Sequence, residues 1–249
     1  MSLRLRNERM FHDRQAAARA GAFQAPDYQF DDERYLRHES WIAPALDALG
    51  DMRGKRVLDL GCGHGMASVV LARRGAIVTA CDLSLGYVRE ASRRADANGV
   101  SVRHVVCDGE RLPFADAAFE RIWGNAILHH LDLSVMAREL HRVLAPGGAA
   151  VFCEPWGGNP WLNWARRRLP YPGKERTADE APLCRRDLDR LRAVFPNLQA
   201  QGHQLLSMLG RVLKKPRVQT GLSWCDDLLL RGWPHWQRYC RYVMVSMRK

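Results

Sequence analysis

The stretch Val57-Leu58-Asp59-Leu60-Gly61-Cys62-Gly63-His64-Gly65 decides the fold of this 249-residue chain. A mainly apolar run ends in a turn with glycine at every second position, and a helical pattern begins directly afterwards. Glycine lacks a Cβ atom, so such a turn lets the backbone pass close to a bound molecule. The Gly-x-Gly-x-Gly spacing differs from the Gly-x-Gly-x-x-Gly of dinucleotide pyrophosphate loops. It therefore favours a nucleoside-like ligand without phosphates.

Short apolar runs alternate with helical stretches along the rest of the chain, which is typical of an α/β fold. Uninterrupted apolar runs of this length are typical of strands that are buried on both faces. We predict a doubly wound, Rossmann-like sheet of seven strands, the last antiparallel, with helices on both faces. The predicted strands are 56–60, 76–81, 100–106, 119–124 and 149–154, one within 198–208 and one within 238–247. The helices predicted between them include 66–74, 85–98, 135–144 and 183–194.

Two further acids follow predicted strands, at the sheet edge where such folds bind ligands. Asp82 follows the second strand, where a carboxylate can accept both hydroxyl groups of a ribose. Asp108 follows the third strand and precedes Gly109, where it can accept from an exocyclic amine such as that of adenine. Either acid alone is equally consistent with a helix cap or a turn. Together with the glycine loop they predict a nucleoside site.

These motifs resemble the class I S-adenosylmethionine-dependent methyltransferases, in particular the small-molecule branch that includes quinone-biosynthesis enzymes. The resemblance runs from residue 54 to residue 154 and includes the loop, Asp82 and the segment 107–114. It implies S-adenosyl-L-methionine as cofactor and S-adenosyl-L-homocysteine as product. The cofactor-binding residues that it implies, together with their neighbours in the loop, are Asp59, Gly61, Cys62, Gly63, Gly65, Asp82, Leu83, Asp108, Gly109, Asn125 and Ala126.

We expect one domain over residues 1–249, with a helical cap at 1–50 and a cofactor-binding core at 54–154. The first thirty residues lack an apolar stripe, which predicts a loosely packed helix or tail. Pro44 is expected to divide the helical pattern of 32–49. The segments 155–182 and 209–236 interrupt the alternation and are interpreted as insertions that shape the acceptor site.

Methyl transfer from a sulfonium needs alignment of donor and acceptor, and a base only when the acceptor must lose a proton. Three candidate bases lie at the ends of predicted strands: His129, His130 and Glu154. The paired histidines are equally consistent with packing or with orienting the cofactor. Glu154 is equally consistent with binding a cationic acceptor or backbone donors. No metal-ligand cluster is visible in the sequence, and we predict no metal.

The positive charge is concentrated in the last part of the chain. Residues 1–154 contain 20 Lys and Arg against 20 Asp and Glu, whereas residues 155–249 contain 18 against 7. Aromatic residues lie among these cations at Trp156, Trp161, Trp164 and Tyr171. This mixture favours a planar or apolar small-molecule acceptor with an anionic group, or peripheral contact with an anionic membrane. Solvated helix faces in an arginine-rich protein are the alternative explanation.

Other partner classes are disfavoured. Nucleic-acid amino-methyltransferases usually have an Asn/Asp-Pro-Pro-aromatic motif after the fourth strand. This chain has Trp123-Gly124-Asn125-Ala126 at that position. A nucleic-acid substrate is therefore not expected. Seven scattered cysteines without a Cys-x-x-Cys pair predict a reducing, cytoplasmic location. The sequence indicates no oligomeric state. The ranked hypotheses are a small-molecule methyltransferase, a methyltransferase of a membrane lipid or quinone, and a non-catalytic cofactor-binding regulator.

Overall fold

A computed structural model of the protein describes residues 3–168, 181–211, 213 and 216–249. Within these residues the strands are β1 (Arg56–Leu60), β2 (Ile77–Asp82), β3 (Val102–Val106), β4 (Phe119–Asn125), β5 (Leu144–Pro155), β6 (Gln199–His203) and β7 (Tyr242–Arg248). The helices are α1 (Leu3–Ala22), α2 (Asp32–Leu36), α3 (Ile42–Ala48), α4 (Met66–Arg73), α5 (Leu85–Ala97), α6 (Leu133–Val143), α7 (Pro160–Arg168), α8 (Arg185–Arg192) and α9 (Pro216–Gly232).

The strands form one sheet in the order β3-β2-β1-β4-β5-β7-β6. Strands β1 to β5 pair in parallel, and β7 pairs antiparallel with both β5 and β6. The predicted seven strands and the antiparallel last strand are therefore confirmed. The chain order reverses between β1 and β4, and a doubly wound sheet binds its ligand at such a reversal.

Both faces of the sheet are covered, because neighbouring residues of one strand point to opposite faces. Leu58 and Phe152 belong to a core on one face with Leu140 of α6. Val57, next to Leu58, belongs to the core on the other face, together with Leu71 of α4. This two-sided burial is the reason that the strands read as continuous apolar runs.

The N-terminal helix differs from the expectation of loose packing. Although α1 lacks a broad apolar stripe, polar contacts attach it to α5 and to the residues just before that helix. Asp13 accepts hydrogen bonds from the Ser84 hydroxyl (2.5 Å) and the Gly86 amide (3.1 Å). The Tyr87 hydroxyl donates to Gln15 at 2.8 Å. Apolar periodicity cannot reveal a helix that is held in this way.

The break in the second helical pattern lies at 37–41 and not at Pro44. Pro44 is the third residue of α3, within the first turn. The backbone N–H groups of a first helical turn have no intrahelical acceptor, so proline removes no hydrogen bond there. The expectation that Pro44 divides the pattern was wrong for this reason.

Candidate active site

A cavity of about 360 Å³ lies at the carboxyl ends of β1, β2 and β4. This size falls within the range of small-molecule sites, about 300–1,000 Å³. Its lining includes the following residues from the predicted set: Asp59, Gly61, Cys62, Gly63, Asp82, Leu83, Asn125 and Ala126. The structure therefore brings most of the predicted cofactor-binding residues together around one cavity.

The glycine loop needs the left-handed backbone that glycine adopts easily. Gly61 has a φ of 68°, and a Cβ atom placed there would lie 2.7 Å from the Ile127 side chain. Gly65 has a φ of 82°, and a Cβ there would lie 2.6 Å from the Cβ of Ala91 in α5. The glycine at 65 thus lets α4 and α5 approach each other beside the cavity, although it does not itself line that cavity.

Asp82, at the end of β2, hydrogen-bonds to the glycine loop. Its Oδ2 accepts a hydrogen bond from the Gly63 amide (2.9 Å), and its Oδ1 accepts from the Ser84 amide (2.9 Å). Each carboxylate oxygen has a second lone pair, so the group can still accept a hydrogen bond from a ligand hydroxyl. Burial raises the pKa of Asp82, although the two backbone donors oppose the shift.

Asp59 is a buried residue of β1 that lines the cavity. Its Oδ2 accepts from the Ser68 hydroxyl of α4 at 2.5 Å. Burial raises the pKa of Asp59 to about 7, and the nearby Asp82 carboxylate acts in the same direction. A buried acid with such a pKa at a cavity wall is typical of a ligand site.

Besides Gly65, two predicted cofactor-binding residues, Asp108 and Gly109, do not line this cavity. Asp108 accepts from the Glu110 amide at 2.9 Å, which makes it the turn residue after β3. A Cβ added at Gly109 would lie 3.2 Å from Leu131. The Cys107 amide donates to the Asp82 carbonyl at 3.0 Å, which keeps this turn beside the second strand. A role of Asp108 and Gly109 in cofactor binding remains a prediction.

The helix α1 covers the cavity and supplies lining residues that sequence reasoning missed, namely Glu8, His12 and Arg19. Among the described residues that line the cavity, Nη2 of Arg19, Nδ1 of His64 and Nε1 of Trp123 are buried without a hydrogen-bond partner. Buried polar atoms are nearly always satisfied, so three unsatisfied ones in residues of a cavity wall favour a polar ligand there. The i, i+4 spacing of Glu8 and His12 on one helix face was the available signal in the sequence.

The three candidate bases have different surroundings. Glu154 is fully buried; its Oε1 accepts from the Ile127 and Leu128 amides, both at 2.9 Å, and its Oε2 lies 2.6 Å from His129 Nδ1. His130 Nδ1 lies 3.0 Å from Glu8 Oε1. Glu154 therefore anchors the loop after β4, whereas His130 faces α1 across the cavity.

A second cavity of about 810 Å³ lies beside the first, and His130 lines both. The other residues that line this larger cavity come from α1, the loop after β4 and the segments around α7 and α8. They include Arg4, Arg166 and Arg190. The segment 169–180 of the predicted first insertion, which includes Tyr171, lies outside the described residues.

Part of the chain is similar to a known protein family. The family model described as a methyltransferase domain matches residues 57–148, which run from β1 into β5. Residues 57–148 match that family. The predicted resemblance to methyltransferases is thereby confirmed for this part of the chain, and the glycine loop, Asp82 and the loop after β4 all lie within it.

Curated relatives match about half of the chain. Malonyl-[acyl-carrier protein] O-methyltransferase of Pseudescherichia vulneris is 40% identical over 134 residues, which are 53% of this chain and 51% of that protein. Demethylmenaquinone methyltransferase of Beutenbergia cavernae is 39% identical over 122 residues, which are 49% of each chain. The chain thus spans about half the length of these relatives.

Solved structures of methyltransferases share the fold. A geranyl diphosphate methyltransferase in complex with S-adenosylmethionine has a TM-score of 0.58 and 22% identity, covering 83% of this chain and 84% of that chain. An S-adenosylmethionine-dependent methyltransferase from Mesorhizobium loti has a TM-score of 0.55 and 18% identity, covering 86% of this chain and 100% of that chain. These likenesses confirm the predicted sheet architecture.

Proposed function

We propose that this protein transfers a methyl group from S-adenosyl-L-methionine to a small-molecule acceptor. The observation that carries the proposal is the cavity at the β1–β4 reversal, where Asp59, the glycine loop and Asp82 meet in a methyltransferase domain. When bound, the cofactor supplies an electrophilic methyl group on a positively charged sulfur, and S-adenosyl-L-homocysteine is the product. The two curated relatives named above carry the same class of activity in their names.

The chain's own residues fit the ribose and the methionine part of such a cofactor. Asp82 keeps a lone pair on each oxygen for the ribose hydroxyls, and Asp59 offers a carboxylate to the positively charged methionine part. The unsatisfied Nη2 of Arg19 and Nδ1 of His64 are available for the methionine carboxylate. Because α1 covers part of the cavity, it would limit the access of water to the reacting groups.

His130 is the candidate base that the two cavities place best, because it lines both. An acceptor in the larger cavity would meet His130 at the boundary with the cofactor cavity. Its partner Glu8 would stabilise the imidazolium that forms when His130 takes a proton. His129 and Glu154 would act as positioning residues, since their mutual hydrogen bond and the backbone donors of the loop occupy Glu154.

Titration calorimetry with S-adenosyl-L-homocysteine tests the proposal. We expect the wild-type protein to bind and Asp82→Ala to lose about 100-fold in affinity, since a buried ligand hydroxyl loses its charged acceptor. Asp82→Asn keeps the shape of the side chain in case Asp82→Ala fails to fold, and Asp189→Asn on the exposed face of α8 is the matched control. A folded wild-type protein that does not bind would overturn the proposal.

We infer further that the acceptor carries an anionic group. Three arginines line the larger cavity, Arg4, Arg166 and Arg190, against two acids, Asp132 and Asp187. Arg4 pairs with Glu110 and Arg190 with Asp187, so the inference depends mainly on Arg166, which donates to the Trp156 carbonyl at 2.8 Å. A pair of acceptors that differ only in a carboxylate and its amide would test this, with labelled methyl donor. We expect the carboxylate compound to be methylated, at the carboxylate or at a neighbouring atom, with a lower KM than the amide compound. Equal KM values for the two compounds would contradict the inference.

A methyltransferase of a membrane lipid or quinone is the second candidate, and exposed tryptophans favour it. Trp161 of α7 is 79% exposed and Trp224 of α9 is 64% exposed. The Asn159 side chain, just before α7, donates to the Tyr239 carbonyl at 2.8 Å, so α7 begins beside the segment that follows α9. No helix of the described residues is long and apolar enough to cross a membrane. The cytoplasmic location remains a prediction. A purely regulatory, non-catalytic role also remains a prediction, and turnover with any acceptor would eliminate it.

A further inference from the structure

Glu8, His12 and His130 converge where α1 crosses the loop after β4. The carboxylate and the two imidazoles each offer one ligand atom, and these atoms lie within 4.8 Å of one another. Glu8 is 8% exposed, and both histidines are half-buried. A buried carboxylate beside two histidines differs from the exposed acidic clusters that are common on protein surfaces.

We propose that these three side chains form a binding site for a divalent transition-metal ion of the Zn²⁺ class. Two imidazoles and one carboxylate are the donor set that such ions prefer, whereas Mg²⁺ and Ca²⁺ prefer oxygen alone. Two ligands about 2.1 Å from one metal lie about 3.0–3.4 Å apart when they subtend 90–110°. The 3.0 Å between His130 Nδ1 and Glu8 Oε1 already matches this separation.

The helix supplies two of the ligands in a fixed relation. Glu8 and His12 are four residues apart on α1, so they lie on the same face one turn apart. His12 Nδ1 lies 3.3 Å from Gln15 Oε1, which in turn accepts from the Tyr87 hydroxyl at 2.8 Å. A proton on Nδ1 that is donated to Gln15 leaves the lone pair of Nε2 for a metal.

The position of the site indicates what the ion does. His130 lines both cavities, and Glu8 and His12 line the smaller one. Three protein ligands leave coordination positions open, as in catalytic zinc sites. An oxygen atom of the acceptor bound at an open position would become more acidic and would be held at the boundary with the cofactor cavity, so in the metal-loaded protein the ion would replace His130 as the group that promotes loss of the acceptor's proton. The site thus rests on the proposed function and narrows the acceptor to molecules with a coordinating oxygen.

Titration of the full chain with Co²⁺, after removal of metals with EDTA, tests the site through the visible d–d absorption of bound Co²⁺. Cys184 is exposed and is replaced by serine throughout, because its thiolate would add a band of its own. We expect one Co²⁺ per chain, displaced by Zn²⁺. Affinity should fall by about 100-fold in Glu8→Gln, His12→Ala and His130→Ala, since each removes one of three ligands.

His235→Ala, at an exposed histidine beside Trp236, is the matched control and should bind Co²⁺ as the parent does. If Glu8→Gln fails to fold, His12→Gln on the half-buried side of the cluster serves in its place. Absence of Co²⁺ and Zn²⁺ binding in the parent, or binding that none of the three substitutions weakens, would overturn the site. Titration of the metal-free parent with S-adenosyl-L-homocysteine separates this result from failure of the proposed function.

Discussion

At the scale of single residues, the Asp59 carboxyl is the clearest case of a group whose surroundings set its chemistry. Burial raises its pKa to about 7, whereas the usual value is 3.8. The folded state therefore holds this proton more tightly than the unfolded chain does, and the protonated acid stabilises the fold. That stability is lost as the pH rises from about 4 through about 7 and changes no further above it.

The substitution Asp59→Asn should remove this pH dependence. The amide oxygen that it introduces would still accept the hydrogen bond of Ser68, so the substitution mainly removes the charge. Chemical denaturation at about pH 5 and pH 8 measures the change, as the difference between wild type and variant. The difference is needed because burial lowers the pKa of His64 to about 3, which gives the opposite slope below about pH 6.5. Parallel pH profiles of the two proteins would contradict the prediction.

Two substitutions of Glu154 distinguish a structural role of this residue from a catalytic one. Glu154→Ala removes the carboxylate that accepts from the Ile127 and Leu128 amides and contacts His129 Nδ1, and it should destabilise the fold by about 3–5 kcal/mol. Glu154→Gln keeps an acceptor for both amides and should cost about 1 kcal/mol. Denaturation midpoints at constant m-value measure both effects. If the glutamine variant is stable and binds cofactor but does not turn over, the prediction of Glu154 as a base is supported instead.

The residue roles show where sequence reasoning ends. Gly61, Asp82 and Asn125 could be placed because each follows a strand, and strand ends meet at one edge of a parallel sheet. Glu8 and His12 could not, because their partner His130 lies more than a hundred residues away and only the tertiary fold brings α1 onto the loop after β4. For this reason a metal cluster was not expected from the sequence.

At the scale of elements, the close packing of α4 against α5 depends on Gly65. An alanine there would adopt a positive φ and place its Cβ 2.6 Å from Ala91. Gly99, which follows α5, also has a positive φ of 65°, but nothing lies within 4 Å of an added Cβ. The two positions therefore differ in packing and share the backbone strain.

Gly65→Ala and Gly99→Ala should differ in stability for this reason. Gly99→Ala is expected to cost about 1 kcal/mol from backbone strain alone. Gly65→Ala adds overpacking of the helix pair and should cost about 2–4 kcal/mol in total. Thermal and chemical denaturation of the two variants give the comparison, and equal losses would show that α4 and α5 separate freely.

The elements were predicted well from the sequence where burial requires a regular pattern of apolar residues. The strands β1, β2, β4 and β5 carry buried residues on both faces, so their apolar runs were visible, and glycines marked the ends of α4 and α5. The strand β3 lies at the edge of the sheet and is only partly buried. The helix α1 was not recognised as packed because Asp13, Gln15 and Arg19 attach it through polar groups. The break between α2 and α3 was misplaced because a proline in a first turn does not end a helix.

At the scale of the whole molecule, charge and exposed aromatic residues lie in the same part of the chain. Residues 155–249 carry 18 Lys and Arg against 7 Asp and Glu, and the exposed Trp161 and Trp224 belong to α7 and α9 within this part. Tryptophan favours the interface between water and lipid headgroups, and cationic residues are attracted to anionic lipids. The combination predicts that this part of the protein binds an anionic bilayer.

Sedimentation with vesicles tests whether the intact protein binds an anionic membrane. We expect the protein to sediment with vesicles rich in an anionic phospholipid at low salt, to remain in solution with neutral vesicles, and to be released as salt screens the attraction. Trp161→Ser with Trp224→Ser should lower the partition coefficient by about tenfold or more, because each removes apolar area that the lipid would cover. Ile77, 62% exposed at the amino end of β2, offers the control Ile77→Ser, which should change nothing. A wild-type protein that stays in solution with anionic vesicles at low salt would exclude a membrane-bound acceptor reached in this way, and the larger cavity would then receive its acceptor from solution.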